Sequence, residues 1–436
     1  MPLASHVFGP LGRADESPLE GRAVAGMSTP IVGEQRSRTR PYGERDAAAR
    51  PRPRGARRHR ASCTAAPIYD DWMPELPRVT GAHLVGSINQ PTAEATFRVV
   101  ASELGGELAR IPDGEVGERF HWILFQGAAF DAVDGLSRVS IDPIIVAGFD
   151  LRPLVLDGSV DASDLVFGSL GYADAAAASY ADFARLRDAG VIPVGTRFQV
   201  CLPSPLAPIT TYVAPADRAA VYPAYAAALA AEVDRIAAAI PAEDLAVQID
   251  MATEFAYLEG VSLGGGPLEA FFAEGGADAP ELVGAIAGLA AELAARVPAG
   301  AQLGFHLCYG DVAEKHFVEP TDAGRLVAVA NALGAQLDRP IDWVHLPVPI
   351  ERTDAAYFAP LAGWALPAET TPFLGLVHHE DGVHGALARI APAREAFAAA
   401  GVGTFGVGTE CGFGRGPADR TASLLALHRE VIAAAG

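Results

Sequence analysis

From Arg78 onward the chain switches repeatedly between two hydrophobic periods. Short apolar runs read as strands at His83–Ile88, Leu108–Ile111, Thr196–Leu202, Leu245–Asp250, Gln302–Cys308, Trp343–Val348, Phe373–Val377 and Thr404–Val407. Between them, Ala and Leu recur at helical spacing over Thr92–Leu104, Ala176–Ala189, Asp217–Ala239, Glu281–Val297, Ala323–Leu337, Gly385–Ala399 and Ala418–Ala434. Strands alternating with helices predict a parallel sheet, and eight such units predict an α/β fold of the single (β/α)8 barrel type. The segment from about Asp131 to Asp164 exceeds a minimal barrel. Its Ile141–Val146 and Leu154–Leu156 runs read as a hairpin or excursion inserted after the second strand, whose exit turn is Ile111-Pro112-Asp113-Gly114. Loops that follow barrel strands lie at the catalytic face, so the insertion is expected to cover the site.

The carboxyl ends of the predicted strands are where polar groups collect. Strand one ends in Ser87, Asn89 and Gln90; strand two in Asp113, Glu115 and Arg119; strand four in Gln248 and Asp250, with Glu254 close behind. Strand five supplies His306 and Cys308, strand six His345, strand seven His378 and His379, and strand eight Glu410 and Cys411. Singly each has an ordinary explanation: a strand cysteine is usually a small buried hydrophobe, a strand histidine a satisfied core residue, and an acidic residue after a strand a helix cap. Jointly they say more. His306 and Cys308, two residues apart on a strand, share a face, and Cys411 closes the same barrel mouth. One imidazole and two thiols make three zinc ligands and leave a fourth position open, the number expected of a catalytic zinc. Cys201 has no histidine at useful spacing and reads as core, and Cys63 lies in the N-terminal tail.

Composition narrows the classes. Half of the 436 residues are hydrophobic, enough for one large core, yet no apolar run approaches the roughly 18 residues of a membrane span. The net charge of −20 argues against nucleic acid as a partner. Four scattered cysteines form no disulfide framework and point to a reducing, cytoplasmic setting. Residues 1–65 are rich in Arg and Pro without periodic apolar positions and are expected to be a disordered tail, with the barrel spanning residues 78–436. The tail lacks the apolar core of a secretory signal.

The strand endings, in this order, resemble the C-terminal catalytic barrel of cobalamin-independent methionine synthase, within the wider group that also holds uroporphyrinogen decarboxylase. Gly86-Ser87 with Gln90 is similar to that family's Gly-Ser-Phe-Pro-Gln strand, and Asp113-Gly114-Glu115 with Glu118-Arg119 to its His-Gly-Glu-Pro-Glu-Arg turn. Gln248-Ile249-Asp250, His306-Leu307-Cys308-Tyr309 and Glu410-Cys411-Gly412 resemble its Gln-Ile-Asp, His-x-Cys and Asp-Cys-Gly motifs. The resemblance implies zinc on His306, Cys308 and Cys411, a homocysteine-like thiol whose amino group is gripped by Glu115 and Asp250 beside Ser87, and an alkyl donor. Asp113, Arg119 and His378, with His379, would orient the substrate or handle protons. The family's fourth zinc ligand, a Glu on strand six, falls where Val344–Pro349 carries no carboxylate. His345 can substitute, Glu351 can reach back, or the site has three protein ligands. The family's duplicated N-terminal barrel is missing, so polyglutamyl folate is not the expected donor. The expected function is zinc-dependent transfer of a methyl or other alkyl group to a thiol. An alternative is a zinc-dependent lyase or hydrolase with water at the open position, which the histidines His345, His378, His379 and His384 favour. A non-catalytic protein that binds a thiol or metal is a third reading. The oligomeric state is not indicated.

Overall fold

The computed structural model describes residues 76–262, 266–273, 280–310 and 315–436; the Arg/Pro-rich segment and Cys63 lie outside them. Eight parallel strands form one curled sheet. They are β1 (Arg78–Ala82), β2 (Arg110–Pro112), β3 (Arg197–Pro203), β4 (Leu245–Met251), β5 (Gln302–Leu307), β6 (Trp343–Pro347), β7 (Thr371–Gly375) and β8 (Thr404–Val407). Their order is β1-β8-β7-β6-β5-β4-β3-β2, so consecutive strands from β2 to β8 are neighbours. Parallel neighbours need crossovers, which are supplied by α1 (Ala93–Leu104), α2 (Tyr172–Asp188), α3 (Arg218–Ala239), α4 (Pro280–Ala294), α5 (Gly324–Gln336) and α6 (Gly382–Ala399), with α7 (Arg420–Ala435) following β8. Between β6 and β7 the crossover shrinks to the short helix Ala355–Phe358 and a 3-10 turn. The gap between β1 and β2 is crossed by two isolated parallel bridges, Ala82 to Leu108 and Ser87 to Gly114, rather than by a ladder.

The alternation of side chains along each strand separates two interiors. One face, with Leu245, Val247 and Ile249 of β4 and Leu303, Phe305 and Leu307 of β5, packs with the helices in a single continuous core. The other face is small, aromatic or polar. Trp343, Phe373 and Ala246 form a separate apolar cluster. Trp343 pairs in register with Gly304, and Phe373 with Gly406. A Cβ at Gly304 would come within 2.0 Å of the Trp343 ring, and one at Gly406 within 2.2 Å of the Phe373 ring. Glycine there is what lets two large rings fill the inside of the sheet. The Arg110 guanidinium lies 3.8 Å from the Trp343 ring centroid and donates to Gln302 at 3.2 Å. Burial pulls its pKa down to about 9, so it stays charged at neutral pH.

Three expectations need correction. The first regular strand is Arg78–Ala82, not His83–Ile88, because Gly81 at φ 73 breaks the β1–β8 register. Beyond it the chain serves both neighbours one bond at a time: His83 N–H donates to Val407 O at 2.9 Å and Ile88 N–H to Gly114 O at 3.0 Å. Strand seven starts two residues before Phe373 and stops at Gly375, where the Leu376 N–H turns back onto Leu374 O at 2.8 Å. In the insertion, Leu154–Leu156 pairs antiparallel with Leu136–Arg138, not with the Ile141–Val146 run. Ile145–Val146 instead pairs with Phe149–Asp150 around Ala147 and Gly148, both at positive φ.

Candidate active site

β5 and the residue after it aim His306 and Cys308 at the carboxyl-terminal mouth of the sheet, and the segment after β8 brings Cys411 to meet them. Cys308 Sγ lies 3.8 Å from Cys411 Sγ, and Cys411 Sγ 3.7 Å from His306 Nε2. All three ligand atoms lie within 4.8 Å of one another. A tetrahedral zinc with bonds of about 2.3 Å to sulfur and about 2.1 Å to nitrogen sets edges of about 3.8 Å between sulfurs and about 3.6 Å between sulfur and nitrogen. The two edges resolved here match those lengths, so the donor set fits zinc in both chemistry and size.

The surroundings hold these donors in place. His306 Nδ1 is 2.8 Å from His345 Nδ1, which leaves Nε2 for the cysteines. Burial, then the His345 ring, keeps the His306 pKa well below that of an ordinary histidine, so it is neutral, the form that ligates metals. His345, which the sequence offers as a fourth ligand, stands behind His306; burial takes its pKa down to about 3. The Gly310 N–H donates to Cys308 Sγ at 3.2 Å, and the Thr409 hydroxyl to the Cys411 carbonyl at 2.7 Å. Gly412 presses on Ser87 so closely that a Cβ would come within 2.3 Å of the Ser87 hydroxyl.

Cys411 also lines a pocket of about 520 Å³ with Glu410, His378, His379, Glu351 and Phe413. His378 Nε2 bonds the Val348 carbonyl at 2.9 Å, and its Nδ1 is 4.0 Å from the Glu410 carboxylate. Burial, then the Arg389 charge, brings the His378 pKa down to about 4. At the end of β6 the Pro347 carbonyl accepts the Tyr357 hydroxyl at 3.1 Å. His384 is exposed on α6.

Across the mouth lies a group of buried carboxyls. Asp113 takes Arg119 bidentately, at 3.2 and 2.5 Å, and accepts the Ser179 hydroxyl at 2.7 Å and the Glu115 N–H at 3.0 Å. Burial opposes its ionisation, but Arg119 and these bonds outweigh burial and leave the Asp113 pKa below the usual range. Among the described residues Glu115 has no such set of donors: burial drives it up to about 7 against the pull of Arg119. Burial, then the charge of Glu115, raises Asp250 well above an ordinary carboxylate. Burial brings Glu254 to about 7. Asp250 is the register partner of His306, which joins the carboxyl group to the metal donors through one pair of strands. Cys201, read from the sequence as core, stands among these carboxyls: a Cβ at Gly86 would lie 3.1 Å from Cys201 Sγ and 3.3 Å from Glu115 Oε2. Its thiol stays protonated, raised by burial and then by Asp250 and Glu115.

No family model matches the chain, and no curated protein does. Among solved structures, a Listeria monocytogenes protein provisionally named a vitamin-B12-independent methionine synthase is similar over 83% of this chain and 99% of its own, at 16% identity and a TM-score of 0.49. A Burkholderia cenocepacia protein provisionally named a lyase/mutase is similar over 77% of this chain and 78% of its own, at 14% identity and a TM-score of 0.31. Likeness at this level is too slight to say what the chain does, and the chemistry is read from the side chains alone. No helix among the described residues is long and apolar enough to cross a membrane.

Proposed function

We propose that the chain is an enzyme on a closed (β/α)8 barrel that carries zinc on His306, Cys308 and Cys411 and transfers a methyl or other alkyl group to a substrate thiol. The observation that supports it most is the pair of tetrahedral edge lengths among these donors, set in a mouth that also holds buried carboxyls. Zinc bound there would hold the substrate sulfur as a thiolate at neutral pH, the form that attacks an alkyl group. The chain's own residues do the rest. His345 orients His306 by the bond between their Nδ1 atoms, a supporting role in place of a fourth ligand. Glu115 and Asp250 grip the amino group of a homocysteine-like thiol, with Ser87 packed between them and the Cys411 loop. Arg119, locked to Asp113, fixes the turn that presents Glu115. His378 keeps its proton on Nε2 against Val348 and offers Nδ1 to the pocket, where the alkyl donor enters.

The test is metal analysis with thiol uptake. Wild-type protein should bind about one zinc and take up homocysteine, and a Cys308→Ser/Cys411→Ser double variant should lose both. Full zinc in that variant would refute the metal assignment. A second reading, a zinc-dependent lyase or hydrolase, draws support from Glu410, Glu351 and His378 lining the Cys411 pocket, where one of them can serve as base for a water. Cobalt-substituted protein separates the two: a change in the visible spectrum on adding homocysteine supports thiol transfer, and no change supports the second.

A further inference from the structure

Arg389, on α6, is 0% exposed, and its guanidinium holds three separate stretches of chain together. Nε donates to Leu376 O at 3.1 Å, in the segment that leaves β7, and Nη1 to Ile350 O at 2.7 Å, in the segment that leaves β6. Nη1 and Nη2 also donate to the two Asp381 carboxylate oxygens, at 2.7 and 2.8 Å. A charge-assisted fork of this kind fixes direction as well as distance. Gly385 leaves room for it, since a Cβ there would come within 1.9 Å of the Asp381 carboxyl. His378 lies between Leu376 and Asp381, and its carbonyl accepts the Gly382 N–H at 3.1 Å as α6 begins. Its Nε2 is 2.9 Å from the carbonyl of Val348, two residues before Ile350. A carbonyl only accepts, so Nε2 carries the proton. Both sides of that one hydrogen bond are therefore anchored on the same guanidinium, the donor side through Leu376 and Asp381 and the acceptor side through Ile350.

We propose that Arg389 is a positioning residue for the Cys411 pocket: by clasping Ile350, Leu376 and Asp381 it holds the His378 ring with its Nε2–H on Val348, so that Nδ1 meets an entering molecule as a hydrogen-bond acceptor. The assignment rests on the alkyl-transfer reading, in which the donor enters there. With the Glu410 carboxylate 4.0 Å from Nδ1, the position favours a group that has hydrogens to give, an amine, amide or hydroxyl, over a carbonyl or carboxylate.

The ring N–H protons are followed by NMR in protein labelled with 15N-histidine, with His378→Gln to assign the His378 signal. In the wild type His378 should carry its proton on Nε2 and exchange it slowly; a proton on Nδ1 at neutral pH overturns the proposal. Arg389→Met keeps the length of the side chain, removes its donors and should speed exchange of that proton at least roughly tenfold. The ring of His428, buried on α7 with Nδ1 2.7 Å from Leu424 O, is the internal reference and should exchange as in the wild type. Arg389→Lys, which returns the charge without the fork, should recover part of the protection. Equal acceleration at His378 and His428 means general loosening and overturns the positioning role, as does acceleration at neither. Should Arg389→Met fail to fold, Asp381→Asn keeps both carbonyl bonds and weakens only the fork; a His378 proton as protected there as in the wild type overturns the proposal. Homocysteine added to cobalt-substituted wild type tests the underlying reading separately: no spectral response overturns thiol transfer, while the protection of His378 still stands or falls with Arg389.

Discussion

Glu254 shows how a single buried carboxyl ties stability to pH. Burial raises it to about 7 in the folded chain, against 4.5 for the ordinary group. Between those values the folded state keeps a proton that the unfolded chain has released, so stability falls as pH rises through that window, and the penalty is fully present above about 7. Glu254→Gln should therefore leave stability near pH 4 almost unchanged and raise it near pH 8 by on the order of 2 to 3 kcal/mol, as read by urea denaturation across pH. Gly412 acts through space rather than charge. In Gly412→Ala the new methyl meets Ser87 Oγ at 2.3 Å and Ser87 N at 3.0 Å, so the loop carrying Cys411 must move. Competition with a chelator should show zinc affinity reduced at least roughly tenfold, the scale on which misplacing a ligand's support acts. Ser87→Ala should not rescue it, because the backbone contact remains. Which residues were legible follows from how they come together. His306 and Cys308 show in the sequence because a strand puts alternate residues on one face. Cys201 and the partnership of His306 with His345 do not, because loops and separate strands bring such groups together with no fixed spacing.

At the scale of elements, α2 is held from outside itself. Gly171 precedes it in the left-handed conformation at φ 84 and offers no side chain to cap it. The cap comes from α3: Glu232 accepts the Leu170 N–H at 3.1 Å and the Ala173 N–H at 2.6 Å, and it is 2% exposed. A carboxylate on these amides satisfies donors that would otherwise be orphaned and meets the positive end of the helix dipole. Glu232→Ala should cost about 2 kcal/mol in urea denaturation, and because α2 carries Ser179 to Asp113 it should also loosen the turn that presents Glu115. The surface pair of Glu232 with Arg235 adds little, since Arg235 is 44% exposed. The elements themselves were largely legible because their periods are strong. β8 spans the Thr404–Val407 expected of it, and α1 and α3 lie within one residue of expectation at their starts and end at the expected residue. The failures have local causes, the bulge at Gly81 and the turn through Ala147, where a residue with a Cβ takes the conformation that sequence reading reserves for glycine.

The molecule as a whole inherits its weakest seam from the start of the chain. β4 and β5 share a continuous register from Ala246 to Met251, whereas β1 and β2 meet through isolated bridges. Hydrogen exchange should find the amides between β1 and β2 opening at least roughly tenfold more readily than those between β4 and β5. The parallel order of the sheet was legible from the alternation of periods, but the uneven seam was not, because it depends on how far each short edge strand runs before it turns. The rings of Trp343 and Phe373, seated on Gly304 and Gly406, have a further consequence. They fill the inside of the curled sheet, 0% and 5% exposed, and on the proposed closed barrel they would form a floor beneath the polar strand ends. Two reactants entering such a barrel from the same end would not come and go independently. On the proposed alkyl-transfer reading, a thiol held at Glu115 and Asp250 would arrive before a donor entering at the Cys411 pocket, so product-inhibition kinetics should show compulsory-order turnover rather than random arrival.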